Sequence, residues 1–316
     1  MNKLLDMLID LSKRPLFIPF YHAVSDTVAP HYKNLYQPRG EVEFERDLDC
    51  FLRHFEPLSL DDFARVKNNP GKGRYCLITF DDGLSEVYEY AFPVLQRKKV
   101  PAVVFLNPRF VDNRGLFYRY KVSILIEELR ARSFEGYSDW MQETGGDFET
   151  AEKNLLSLGY GQTGKIDHIA QLMGVSFANY LQSEQPYLTM PRVREMKGAG
   201  IQFGGHSMDH PFFADLGLKA QLQQANESMD WVCEKVGETI RAFAFPFSDE
   251  GVKKTFFEQL NADFTFGTAK IKVDDAKNHY QRLSMEVDNK SAGQILLREF
   301  TNYQLKRLFG RHRIKR

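Results

Sequence analysis

The chain has 316 residues, and its 42 Lys and Arg balance 42 Asp and Glu, so no global field draws it to nucleic acid. A chain this long buries roughly three quarters of its unfolded surface and needs no disulfides; its three cysteines, Cys50, Cys76 and Cys233, are odd in number and far apart, which reads as reduced thiols. No stretch approaches the roughly 18 apolar residues of a membrane span.

Residues 4–11 are apolar but interrupted by Asp6 and Asp10, which suits an amphipathic helix better than a secretion signal, and a cytoplasmic location is expected. Residues 16–21 form a short apolar run ending in Tyr21-His22, a first buried strand. Phe44, Leu48, Phe51, Leu52 and Phe55 then fall at helical spacing over 42–55. Ser59 or Asp61 caps a further short helix, and residues 68–73 read as a loop. A β-type run over 74–80 follows, then a helix over 88–98 with Pro93 inside it, then an apolar strand over 101–106 of the kind buried on both faces. The alternation resumes with a helix over 193–199, a strand over 201–204, a long helix over 218–236, a strand over 240–245, a helix over 256–260 and a strand over 264–266. Strand, helix, strand in this order predicts an α/β fold with a parallel sheet.

Residues 113–189 break the rhythm. They are polar and largely helical in pattern, with 122–129 the strongest helix and a break at 144–147. They read as an insertion on the active face, a lid or substrate platform, within a single domain spanning 1–316. After Glu299 there is no acid, while Lys306, Arg307, Arg311, Arg313, Lys315 and Arg316 gather beside Leu308 and Phe309. This basic tail, 303–316, reads either as a solvated, frayed helix end or as a peripheral contact with an anionic membrane at its inner face.

Two segments carry chemistry. Thr79-Phe80-Asp81-Asp82-Gly83 follows a strand directly, which places two carboxylates where parallel sheets put reactive groups. Adjacent side chains point to different sides, so the two carboxylates can hold different jobs, and Gly83 permits the turn both need. The same string is also an ordinary loop or helix cap. His206-Ser207-Met208-Asp209-His210-Pro211 sets two imidazoles four residues apart, on one face if the segment is helical. Together the segments supply one carboxylate and two histidines for a divalent metal, with a second carboxylate left as a base. That is the inventory of a metal-assisted hydrolase.

With Phe20-Tyr21-His22-Ala23-Val24 and Phe243-Ala244-Phe245-Pro246-Phe247-Ser248, these segments resemble the polysaccharide deacetylase family, the NodB-homology or carbohydrate esterase family 4 domains. The resemblance implies a distorted (β/α)7-type barrel with a largely helical insertion, and an enzyme that removes acetyl groups from N-acetylated sugars. It implies Asp82, His206 and His210 as metal ligands and Asp81 as general base on a metal-activated water. Pro246 and Phe247 become the substrate-binding segment, with the Phe247 backbone N–H facing the oxyanion. Two histidines and one carboxylate leave coordination open, as catalytic Zn2+ requires, and Fe, Co or Ni accept the same set.

The chain departs from the family twice. The late segment that often carries a histidine matches Arg282-Leu283-Ser284-Met285, which has none, and Ala244 replaces an arginine before the proline. His22 is therefore the preferred general acid or substrate contact, with a core histidine as the alternative, and His279 is a weaker candidate. Arg241 pairs with a carboxylate or sits on the surface, Asp209 reads as a solvated helix residue, and Trp231 reads as packing. Trp140, Tyr118 and Tyr120 in the insertion either pack or stack on sugar rings.

The expected function is a metal-dependent carbohydrate N-deacetylase, acting on a nucleotide- or lipid-linked intermediate in preference to a finished extracellular polymer. Its rivals are a non-catalytic, metal-containing glycan-binding member and a metal-dependent amidase on a non-sugar amide.

Overall fold

A computed structural model describes residues 2–67, 71, 73–131, 137–144, 146–287 and 290–316. Its centre is built from short parallel strands: β1 Pro19–Tyr21, β2 Ile78–Phe80, β3 Ala102–Leu106, β4 Gln202–Gly205, β5 Ala242–Ala244, β6 Phe264–Gly267, β7 His279–Gln281 and β8 Leu283–Ser284. They pair in the order β7-β6-β5-β4-β3-β2-β1-β8. β7 and β8 lie at opposite edges, yet only Arg282 separates them. The Arg282 N–H donates to Gly267 O on β6 at 3.1 Å, and the Leu283 N–H donates to Ile18 O beside β1 at 2.9 Å. One extended segment thus serves both edges, and the sheet nearly closes as a distorted (β/α)7-type barrel.

The strands are apolar on both faces because the barrel interior lies on one side and helices on the other. β3, Ala-Val-Val-Phe-Leu, is buried at every position. Outside it pack α1 Asn2–Ser12, α2 Glu41–His54, α3 Tyr118–Ala131, α4 Leu218–Val236 and α5 Ala292–Leu308, among shorter helices. Phe44, Leu48 and Phe51 form the buried stripe of α2, and Gly237 ends α4 in the left-handed region, its N–H on Cys233 O.

Two expected strands are each divided. Leu16–Phe17 and Glu56–Pro57 flank Tyr75–Cys76 in a separate three-stranded sheet before the chain bends into β1 and β2. Apolar runs buried in both sheets carry no mark of the bend. The helix expected over 88–98 opens with one π-helical turn, Val87–Ala91, before the α-helix Phe92–Lys98. Pro93 sits in the first turn of that helix, where its missing N–H costs no bond. The loop expected over 68–73 lies largely outside the described residues.

The insertion is helical, as its pattern indicates, and has its own core around Tyr120, Leu125, Leu129, Leu155 and Ile166. Trp140 belongs to that core, so it packs and does not present a ring to a sugar. The tail is ordered: Arg313–Ile314 pairs in parallel with Val273–Asp274, and the Arg316 side chain is buried among carboxylates. Leu308 and Phe309 remain exposed. Among the described residues no helix is long and apolar enough to cross a membrane.

Candidate active site

Most candidate residues lie just beyond the carboxyl end of a barrel strand, His22 after β1, Asp81 and Asp82 after β2, His206 after β4 and Phe247 after β5, whereas His279 opens β7. Asp82, His206 and His210 converge. His206 Nε2 and His210 Nε2 lie 3.4 and 3.1 Å from Asp82 Oδ1. Neither contact is aligned as a hydrogen bond, and Oδ1 is left buried without a partner. Asp82 Oδ2, in contrast, accepts from the Tyr120 hydroxyl at 2.6 Å, which itself pairs with the Tyr36 hydroxyl at 2.8 Å. His206 Nδ1 bonds Ala244 O at 2.9 Å, so it carries the proton and Nε2 presents its lone pair. Burial pushes the His210 imidazole below its ordinary value and keeps it neutral. One bare carboxylate oxygen and two lone-pair nitrogens facing one point fit a divalent cation, and the mixed O and N donors suit zinc or a neighbouring transition metal.

The histidine pair does not share a helix face. Residues 206–212 are a loop, and positive φ at Ser207 (65°) and His210 (62°) bends the chain back on itself. The Ser207 hydroxyl accepts from the His210 N–H at 3.0 Å, and Asn107 Nδ2 donates to the carbonyls of His206 and Ser207. Asp82 and Phe247 also sit at positive φ, 67° and 57°. Non-glycine residues there store strain of about 1–3 kcal/mol each, a cost found mainly at functional sites.

Asp81 points to the opposite side and meets Arg282. The pair is bidentate, Nη1 to Oδ1 at 2.7 Å and Nη2 to Oδ2 at 2.8 Å, and both side chains are buried. Arg282 lies over the rings of Phe20 and Phe105, 4.7 and 5.4 Å from their centroids, and also reaches Thr79 Oγ1. Burial opposes the Asp81 charge, but the guanidinium outweighs it and holds the carboxyl below its usual range.

His22 faces the same space. Its Nδ1 lies 2.5 Å from Glu286 Oε2, and Glu286 Oε1 accepts from the His22 and Ala23 N–H groups at 2.7 and 3.1 Å. The ring stacks on Tyr36 at 4.6 Å. A quarter of the His22 side chain is exposed, whereas Glu286 is buried, so His22 is a cavity residue and not a core one. Burial works against its charge, but Glu286, with Asp82 and Asp81 behind it, raises the imidazole to about 9.

His22, Asp81, Asp82, His206, His210 and Phe247 all line one cavity of about 370 Å³. Phe247 lays its ring 4.7 Å from that of His210, and no acceptor among the described residues takes its N–H. Pro246 is buried and does not line the cavity; its carbonyl accepts from the Ser248 N–H at 2.7 Å and turns the loop.

The sequence pattern of the polysaccharide deacetylase family matches residues 68–264, more than half of the chain. The chain belongs to that family. Solved deacetylases share its fold. A Streptococcus pyogenes deacetylase in complex with acetate superposes with a TM-score of 0.56 at 16% identity, covering 89% of this chain and 96% of that one. IcaB from Ammonifex degensii gives a TM-score of 0.56 at 16% identity, over 89% and 95%. A de-N-acetylase from Aggregatibacter actinomycetemcomitans gives 0.54 at 14%, over 90% and 99%. No curated protein matches the chain in sequence.

Set against this polysaccharide deacetylase fold, three side chains that hold the candidate residues escape sequence reasoning. Arg282, between β7 and β8, supplies the guanidinium on Asp81. Glu286 lies two residues beyond β8. Tyr120 comes from the insertion; it is fully buried against Asp82 and unavailable for sugar stacking. The one signal for Arg282 was its place beside an otherwise apolar strand. His279 lies away from the cavity, buried between Thr265 and Asp249. Asp209 is no solvated helix residue: Arg109, Tyr160 and Gln224 hold it. Arg241 pairs with Asp230, and Trp231 packs against the main core.

Proposed function

We propose that this member of the polysaccharide deacetylase family is a metal-dependent N-deacetylase of a saccharide, with Asp82, His206 and His210 as the metal ligands. The observation that carries the reading is the bare Asp82 Oδ1 between two imidazole nitrogens, with an ionised carboxylate, Asp81, in the same cavity. When bound, a divalent cation would polarise the acetamide carbonyl and lower the pKa of water toward neutrality. Asp81, kept ionised by Arg282, takes the proton of the attacking water. His22, kept protonated by Glu286, gives a proton to the departing amine. The Phe247 N–H donates to the oxyanion, and the strained backbone fixes that donor before substrate arrives.

The assignment of both proton positions favours an enzyme over a glycan-binding relative, since a pure binder has no use for an arginine-held base or a glutamate-held acid. The test is bound metal together with acetate release from a panel of N-acetylated sugars, by wild type and Asp81→Asn. Release by wild type and its loss in Asp81→Asn, with metal retained, is expected. Metal without turnover on any amide would indicate the binding module, and turnover only on non-sugar amides the amidase. Exposed Leu308 and Phe309 beside Lys306, Arg307 and Arg311 keep a peripheral contact with anionic membranes as a further proposal, which sedimentation with anionic vesicles tests.

A further inference from the structure

We propose that a second cavity, beside the catalytic one, binds a phosphoryl group carried by the substrate; the word substrate here rests on the deacetylase reading above. The cavity measures about 570 Å³ and lies behind the loop that bears Phe247. Ser248, Asp249 and Thr268 line it, and Thr268 lines the catalytic cavity as well. A sugar with its acetamide at Asp81 can therefore extend a substituent across Thr268.

Six cations reach this cavity from four stretches of chain. Two are engaged: Lys270 holds Glu299 at 3.0 Å, and Arg316 lies between Asp249 and Asp274. Lys253, Lys272, Lys306 and Lys315 have no carboxylate within ion-pair distance among the described residues, and the one free acid in the lining is Glu250. Four free ammoniums stand against Glu250 and the one carboxylate that Arg316 leaves uncompensated between Asp249 and Asp274, which leaves two positive charges around a single space, in a chain whose formal charge is zero. Composition does not force this. Lys33, Lys98 and Lys121 each pair with acids elsewhere on the surface.

Like charges gathered around a cavity repel, and a bound anion relieves them. The anion's chemistry follows from the donors. Ammoniums bind phosphate as point charges, whereas a lone carboxylate is better matched by a forked guanidinium. The cavity's one guanidinium is already tied to Asp249 and Asp274. Two excess charges also suit a phosphomonoester or diphosphate better than a single carboxylate. The wall is built in advance: Asp249 Oδ1 accepts from the Thr268 N–H at 3.1 Å, and its Oδ2 accepts from Gln281 Nε2 at 2.7 Å and from Arg316. The structure thus assigns a phosphorylated or diphosphate-linked N-acetyl sugar as the substrate class.

Calorimetry with inorganic pyrophosphate on the full chain reads the site without turnover, so it succeeds or fails independently of the deacetylase reading. Saturable binding that weakens as salt rises is expected. The triple variant Lys253→Glu, Lys272→Glu, Lys315→Glu should lose about tenfold or more in affinity, each exposed ionic contact contributing a few-fold. Lys153→Glu on the insertion should change nothing. Lys272→Gln alone is the gentler variant should the triple fail to fold, with a proportionately smaller loss. No saturable binding by wild type, or equal binding by the triple variant, overturns the site. With turnover in hand, the triple variant should raise KM for N-acetylglucosamine 1-phosphate, leave kcat unchanged, and leave a neutral N-acetylglucosamine oligomer unaffected. Unchanged KM for both, with pyrophosphate binding lost, would mean that the cavity takes free phosphate and not a group on the substrate; equal KM shifts for both would overturn recognition of the phosphoryl group.

Discussion

Two clusters among the described residues each bring three Asp and His side chains together, one Asp with two His in the first and two Asp with one His in the second, and they are in opposite states. Asp82, His206 and His210 form one, Asp249, Asp274 and His279 the other, and in each the donor atoms lie within 4.8 Å of one another. In the second, the donors are taken. Asp249 Oδ2 meets His279 Nε2 at 3.0 Å and Gln281 Nε2 at 2.7 Å, Asp274 Oδ2 meets Arg316 Nη2 at 2.8 Å, and His279 Nδ1 meets Thr265 Oγ1 at 2.8 Å. A guanidinium stands where a cation would. In the first, Asp82 Oδ1 is buried without a partner, with His206 Nε2 and His210 Nε2 beside it. Counting donors does not tell the two clusters apart; a bare buried oxygen where the donors converge does, because leaving one bare costs about 1–3 kcal/mol unless something completes it.

The largest effect expected comes from Arg282→Met, which strands the buried Asp81 charge. Removing one partner of such a pair costs about 3–5 kcal/mol, readable by urea unfolding, and turnover should fall with it. Unchanged stability would show that Asp81 is not held by this pair. Next is Tyr120→Phe, which frees Asp82 Oδ2; loss of an outer-shell partner should weaken metal affinity by about 10–100-fold with the fold intact. Equal affinity would reduce Tyr120 to packing.

Glu286→Gln acts through pH. The His22 value of about 9 exceeds its unfolded value of roughly 6.5. The pair's contribution to stability is therefore complete below about pH 6.5 and is lost as pH rises through about 9. NMR titration of the metal-free protein should find His22 protonated well above neutrality, and Glu286→Gln should move its midpoint down toward the ordinary imidazole value. The alkaline limb of activity should move the same way. A midpoint unmoved by the substitution would remove Glu286 from the proton-donor role.

Arg316→Met sharpens the contrast with the smallest effect on rate. Asp249 retains His279, Gln281 and the Thr268 N–H, so stability should fall by about 1–3 kcal/mol, and a second, weaker metal equivalent should appear. A second equivalent already present in the wild type would erase the distinction between the clusters.

Much of this was legible in the chain. The strand that ends at Phe80 announces where Asp81 and Asp82 stand, and apolar runs such as Ala102–Leu106 mark a parallel sheet buried on both faces. The failures are non-local. Arg282 and Glu286 matter only because one segment closes the barrel against both β6 and β1, and strands of two or three residues carry no period that could announce it. The histidine pair was read as a helix face because spacing alone cannot distinguish a helix from a loop bent by positive φ at Ser207 and His210. Tyr120 lay in an insertion whose pattern indicated helices but not the one hydroxyl that reaches Asp82.

Metal content of purified protein, before and after substitution in each cluster, bears most directly on the central claim. Wild type should hold a single equivalent, lost in Asp82→Ala and in His210→Ala and kept in Asp249→Asn. Metal that survives both substitutions in the first cluster, or that leaves with Asp249→Asn, would contradict the assignment.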